Sequence, residues 1–116
     1  MNEINTDTNV KFMGWDCAVY LARYQTTGAP AILLRDSYTG EPIATATVNL
    51  GVMPKSGNVI IKTWSENEGI DDSLAEAGVL GERVAIHPAG VTYAIEYELS
   101  PRMVDILGSK IENGLG

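Results

Sequence analysis

Alternation of apolar and polar residues runs through most of the chain and predicts strands. Residues 10–24 place Trp15, Cys17, Val19 and Leu21 on one face and Asp16, Ala18, Tyr20 and Ala22 on the other, the period of a long strand, bent at Gly14. Thr26-Thr27-Gly28-Ala29-Pro30 reads as a turn, because glycine accepts positive φ and proline cannot donate to a ladder. Residues 31–35 form a second strand, and Asp36-Ser37-Tyr38-Thr39-Gly40-Glu41-Pro42 a loop. Residues 43–50 resume with β-branched side chains, with Ala44, Ala46, Val48 and Leu50 on one side, and pair back as a hairpin. Pro54, Ser56 and Gly57 interrupt the chain before a fourth strand over 58–64, which carries Val59, Ile60 and Ile61.

The period changes at Ser65. Ser65 and Glu68 have capping-box spacing, and Ile70, Leu74 and Ala77 recur at helical intervals, predicting a short helix that ends near Gly78. Its apolar stripe is narrow, so one side lies on the sheet and the rest faces water. Residues 83–86 form a weak strand before Pro88 and Gly90. Residues 91–99 then alternate strictly: Val91, Tyr93, Ile95, Tyr97 and Leu99 are expected in the core, with Thr92, Ala94, Glu96 and Glu98 wet. Ser100-Pro101 is an N-cap and first-turn pair opening a second short helix, with Met103, Ile106 and Leu107 inward and Gly108 as its stop.

The resulting order is ββββ-α-ββ-α. It defines an α+β fold: a mainly antiparallel sheet of five to six strands with two short helices, since short connections favour antiparallel neighbours. Residues 1–9 read as a disordered polar tail, 10–108 as a single α+β domain and 109–116 as a flexible tail.

Composition narrows the function classes. A chain of 116 residues with 45% hydrophobic residues can build one core without a staple. Cys17 is the only cysteine, so no intramolecular disulfide forms, and no Cys/His cluster has metal-ligand spacing. The polar start lacks a signal-peptide pattern, and apolar stretches such as 29–34 fall far short of the roughly 20 residues a membrane helix needs. A cytoplasmic protein without membrane attachment or cofactor is expected. The net charge of −7, from 15 acidic against 8 basic residues, repels a phosphate backbone and favours a protein partner with a basic surface. The expected state is a monomer or homodimer.

Three segments, W-D-C-A-V-Y-L (15–21), G-E-P-I-A-T-A-T-V-N-L (40–50) and S-E-N-E-G (65–69), resemble in order and spacing a family of small uncharacterised bacterial proteins. That family is a domain of unknown function common in prophages, plasmids and conjugative elements, and the resemblance spans residues 12–99. It implies a mobile-element setting, in which small acidic proteins antagonise host defence in the manner of anti-CRISPR proteins or accompany conjugation. It implies no catalytic residue.

The least ordinary feature is Glu66, Glu68, Asp71, Asp72 and Glu76, five acids within eleven positions and no Lys or Arg among them. Helical spacing turns Asp71, Asp72 and Glu76 to solvent, where they serve as a recognition surface or simply stabilise the first turn by about 0.3–1 kcal/mol each. The cluster lacks the ligand spacing of a calcium loop. Tyr38, in a loop beside Asp36 and Glu41, is the best candidate for an exposed aromatic anchor. These residues define a non-enzymatic, protein-binding reading. The alternative is a small enzyme or ligand-binding domain whose site gathers dispersed residues such as Cys17 and His87, the only histidine.

Overall fold

The computed structural model describes residues 2–108. Seven strands form two antiparallel sheets. Sheet A is a meander of β1 (Ile4–Phe12), β2 (Trp15–Arg23), β3 (Pro30–Asp36) and β4 (Pro42–Thr45) in the order β1-β2-β3-β4. Sheet B has the order β5-β7-β6, from β5 (Asn58–Ile61), β6 (Leu80–Ala89) and β7 (Thr92–Leu99). Two short helices, α1 (Ile70–Glu76) and α2 (Pro101–Ile106), complete an α+β fold of order βββββ-α-ββ-α, the expected ββββ-α-ββ-α with one further strand at its start. The expected single sheet of five to six strands is instead two sheets with seven strands. They are joined where Ala46 turns from β3, to whose Ile32 carbonyl its N–H bonds, towards β5: Val48 N–H bonds Ile60 O, and Lys62 N–H bonds Ala46 O.

The additional strand is β1, which occupies most of the stretch expected to be a disordered tail. Its burial alternates regularly, but Thr6 and Thr8 take inward positions beside Val10 and Phe12, so the pattern looks polar by residue type. The Thr6 hydroxyl is satisfied at once, donating to the Val19 carbonyl at 2.8 Å, and Arg102 on α2 reaches both Thr8 Oγ1 and the Thr6 carbonyl. The expected bend at Gly14 is a two-residue hairpin turn: Met13 and Gly14 have φ of 52° and 82°, and Phe12 faces Trp15. Positive φ at both central residues is the type I′ geometry whose twist matches paired strands.

One core joins both sheets. Val10, Phe12, Val19, Leu21, Ile32 and Leu34 from sheet A meet Val59, Ile61 and Leu99 from sheet B, and Ile70, Leu74, Met103 and Leu107 close it. α1 packs on β1 and β6, and α2 on β7. α2 starts after Ser100 with Pro101 at its first turn, as expected. The Ser100 carbonyl accepts the Val104 N–H, while its hydroxyl is buried without a partner among the described residues.

Burial in β7 runs opposite to expectation over its first half. Tyr93 is 60% exposed and Tyr97 only half-buried, whereas Ala94 and Glu96 are buried. Both faces of β5 are covered, because the 50–57 connection folds over the face that β5 shares with Glu96, while Val59 and Ile61 face the helices. The hairpin end formed by late β6 and early β7 extends past that cover, leaving Ile86, Val91 and Tyr93 exposed. β6 is also longer than the predicted 83–86. It runs through Pro88, which an edge strand tolerates because a missing N–H there breaks no ladder bond. The tail expected at 109–116 lies outside the described residues. Among the described residues, no helix is long and apolar enough to cross a membrane.

Candidate protein-interaction face

The acidic segment is built differently from the predicted capped helix. Ser65–Asn67 forms a 3₁₀ turn with Ser65 at φ 60°, and Gly69, at φ 84°, resets the chain so that α1 begins only at Ile70. No side chain caps either element, so the Ser65/Glu68 capping box is not formed. The expected inward residues hold: Ile70 and Leu74 are fully buried and Ala77 packs against the core. Gly78, at φ 78°, closes the helix, with its N–H bonding Ala75 O and that of Val79 bonding Leu74 O. This pair of bonds is a Schellman closure, and the buried side chains of Leu74 and Val79 supply its usual apolar contact.

The five acids divide by partner. Glu66 lies 2.5 Å from Lys62 Nζ, and that bond, with its own backbone N–H and the Ser65 hydroxyl, lowers its carboxyl to about 2. Asp71 Oδ2 accepts the Tyr97 hydroxyl at 2.7 Å, so Asp71 is half-buried and not turned wholly to solvent as predicted. Burial first, then the Asp71 bond and charge, push the Tyr97 phenol up to about 12. Glu68, Asp72 and Glu76 are exposed, and no ion pair or hydrogen bond among the described residues reaches their carboxylates.

Tyr38 stands 85% exposed at the tip of the β3–β4 loop. Asp36 makes that loop rigid: its carboxylate accepts the N–H groups of Tyr38 (2.8 Å) and Thr39 (3.2 Å), and Arg35 Nη1 holds the Gly40 carbonyl. Glu41, at the loop's end, is exposed. The candidate residues therefore occupy two places, the β3–β4 loop and the segment from Ser65 to Glu76. Between them in the chain lies β4, along which runs a cleft of about 560 Å³ lined by residues including Tyr24, Ile43, Thr45, Lys62, Glu66 and Asn67. Tyr24 donates or accepts a 2.9 Å hydroxyl bond with Thr47, and Asn67 Nδ2 donates to the Thr45 carbonyl at 2.7 Å.

Cys17 and His87 do not form a shared centre. Cys17 is fully buried in β2, with its thiol towards the Trp15 carbonyl, and burial, then Asp36 and Asp16, push that thiol up and keep it protonated. His87 lies in sheet B, its Nε2 2.8 Å from Glu96 Oε1. Glu96, 3% exposed, also accepts Asn58 Nδ2 at 2.7 Å and the Lys55 N–H at 3.1 Å. Burial raises its carboxyl, but the three donors outweigh burial and the net shift is downward. This cluster was not visible in the sequence, since its members are 9 to 41 residues apart. Among the described residues, no group of three or more His, Cys, Asp or Glu side chains is placed to hold a metal ion.

No family model, curated protein or solved structure matches the chain.

Proposed function

We propose that the protein is a non-enzymatic interaction protein whose acidic face, Glu68, Asp72 and Glu76, engages a basic surface on a protein partner. The observation that carries this reading is the division of the acids. Glu66 and Asp71 are consumed internally, while the other three are presented to water with no ion pair among the described residues, Asp72 and Glu76 on the helix anchored by Ile70 and Leu74 and Glu68 in the turn that leads into it. Uncompensated charge of one sign on a fixed element steers an oppositely charged partner and sets the salt dependence of binding. Tyr38, Asp36 and Glu41 give a second acidic contact point with an exposed aromatic. The resemblance to mobile-element proteins supports a defence antagonist of the anti-CRISPR type, occupying a basic groove of its target.

Recognition fits the side chains better than covalent chemistry. The one thiol is buried and protonated, and the one imidazole is engaged by a structural carboxylate. The test is capture of partners from lysate of the native cells on the immobilised chain, with mass-spectrometric identification at low and high salt. A specific basic partner that elutes as salt rises supports the reading; a partner retained through 1 M salt, or an acidic one, contradicts it.

A further inference from the structure

The β1–β2 turn and the β3–β4 loop meet at one end of sheet A. The ladder pairs Cys17 with Asp36, and the Ser37 N–H bonds the Asp16 carbonyl at 3.0 Å, so Trp15 and Tyr38 stand one step further along the two chains. Met13 is 72% exposed and Trp15 50%, and with Tyr38 they put three large side chains into water at this end. Methionine, tryptophan and tyrosine are residue types enriched where protein partners anchor. Met13 holds φ 52°, a left-handed position that a side chain of its kind takes only under strain. Strain of this sort collects at binding sites. Both supports are firm, since Phe12 opposite Trp15 is buried and the Asp36 carboxylate fixes the loop beneath Tyr38.

The charge at this end is unbalanced. Asp16, Asp36 and Glu41 belong to the same two segments, against Lys11, which lies 3.8 Å from Asp16 with both side chains well exposed. Asp36 accepts backbone N–H groups, which leave its charge in place. No ion pair or hydrogen bond among the described residues reaches the Glu41 carboxylate. Arg35 holds the Gly40 carbonyl, but Glu3 neutralises it through two bonds of 2.9 Å. Three carboxylates against one free ammonium leave two negative charges. The ring faces are also vacant. Elsewhere the chain covers half-buried rings with its own cations, Arg35 lying 5.6 Å from the Tyr20 centroid and Lys62 5.7 Å from that of Trp64. Among the described residues, no cation lies over Trp15 or Tyr38.

From this arrangement we propose that the end of sheet A formed by Met13, Trp15 and Tyr38 docks an arginine-bearing surface of the protein partner. This rests on the reading of a basic partner above and names the side chain that meets its second contact point. Arginine suits the site better than lysine. A guanidinium is planar and weakly hydrated, so it stacks on an aromatic face while its N–H groups stay free for carboxylates, whereas an ammonium keeps its water. Glu41 and Asp16 supply charge-assisted acceptors beside the rings. The soft thioether of Met13 packs against the methylene stem of the same arginine. Tryptophan and tyrosine at loop tips also suit a bilayer surface, but here the flanking carboxylates oppose approach to lipid.

The test is an NMR titration of the isotope-labelled full chain with a capped peptide of four Arg-Gly repeats, with its Lys-Gly counterpart, and with phosphatidylcholine vesicles. The Trp15 indole N–H and the Tyr38 ring signals are followed. The arginine peptide should shift both and bind about three- to tenfold tighter than the lysine peptide. Trp15→Ala and Tyr38→Ala should each weaken it about two- to fivefold, the range for a cation over an exposed ring. Tyr38 stands in solvent, so its variant keeps the fold. Equal affinities for the two peptides, or variants that bind as the wild type does, overturn the proposal. Vesicles that broaden the Trp15 and Tyr38 signals assign the patch to lipid and overturn it as well. If the arginine peptide shifts only the signals of Glu68, Asp72 and Glu76, this proposal fails and the acidic face stands. If neither peptide moves either set, the two readings fail together.

Discussion

His87 meets a buried carboxylate where β6 and β7 pair: its Nε2 is 2.8 Å from Oε1 of Glu96, whose other oxygen accepts from Asn58 Nδ2 and the Lys55 N–H. The pair joins β6 to β7, and through Lys55 it fastens the 50–57 connection over sheet B.

Because the net shift of Glu96 is downward, its ionised form favours the folded state. The sign is that of a depressed acid. Its contribution is complete above the ordinary carboxyl value of about 4.3 and is lost as pH falls through the lower folded value. Asn58→Ala should cost about 1.5–3 kcal/mol at pH 7, the range for a hydrogen bond to a charged acceptor. Urea denaturation across pH should show that cost narrowing below about pH 4. A gap independent of pH would contradict the assignment.

Tyr97 behaves in the opposite sense. Its phenol is raised to about 12 by burial and then by Asp71, so the neutral form favours folding. The stabilisation is complete below about pH 10, the ordinary phenol value, and disappears as pH rises through the folded value. Tyr97→Phe should therefore lower Tm near pH 8, and the two thermal curves should converge towards pH 12. Equal Tm values at pH 8 would show that the Asp71 bond contributes nothing.

Glu66 gives a site-specific check of the acidic segment. Its side-chain carbon signal in an NMR titration should move at about pH 2, held down by Lys62 before its own N–H and Ser65. Lys62→Met should shift that midpoint up towards about 4.3. An unchanged midpoint would separate Glu66 from Lys62.

The Met13-Gly14 turn predicts an asymmetric pair of mutants. Gly14 has φ 82° with open space around its α-carbon, so Gly14→Ala meets no clash and should lose about 1 kcal/mol from conformation alone. Met13 bears positive φ without the short polar side chain that tolerates it, so Met13→Asn should gain about 0.5–1 kcal/mol. Urea midpoints of the two variants provide the measurement.

Local chemistry made the α+β class, the order of the elements after β1, the inward Ile70 and Leu74 and the Ser100-Pro101 helix start legible in the sequence. β1 was hidden because Thr6 and Thr8 satisfy their hydroxyls through Val19 and Arg102, partners no local pattern shows. β7 was read with its first half reversed because the 50–57 connection lies over the face that carries Glu96 and bonds its carboxylate through the Lys55 N–H. Within the acidic segment the composition was plain, but Lys62 and Tyr97, which subtract Glu66 and Asp71 from the available charge, belong to other elements or turns.

The most direct measurement of the central claim is the affinity of a captured partner for the wild-type chain and for Glu68→Lys/Asp72→Lys/Glu76→Lys, by calorimetric titration at 0.1 M and 1 M salt. An acidic docking face predicts at least about tenfold weaker binding of the variant at 0.1 M, with the difference shrinking at 1 M, where screening acts over about 3 Å. Equal affinities at low salt, with the variant's fold intact, would contradict it.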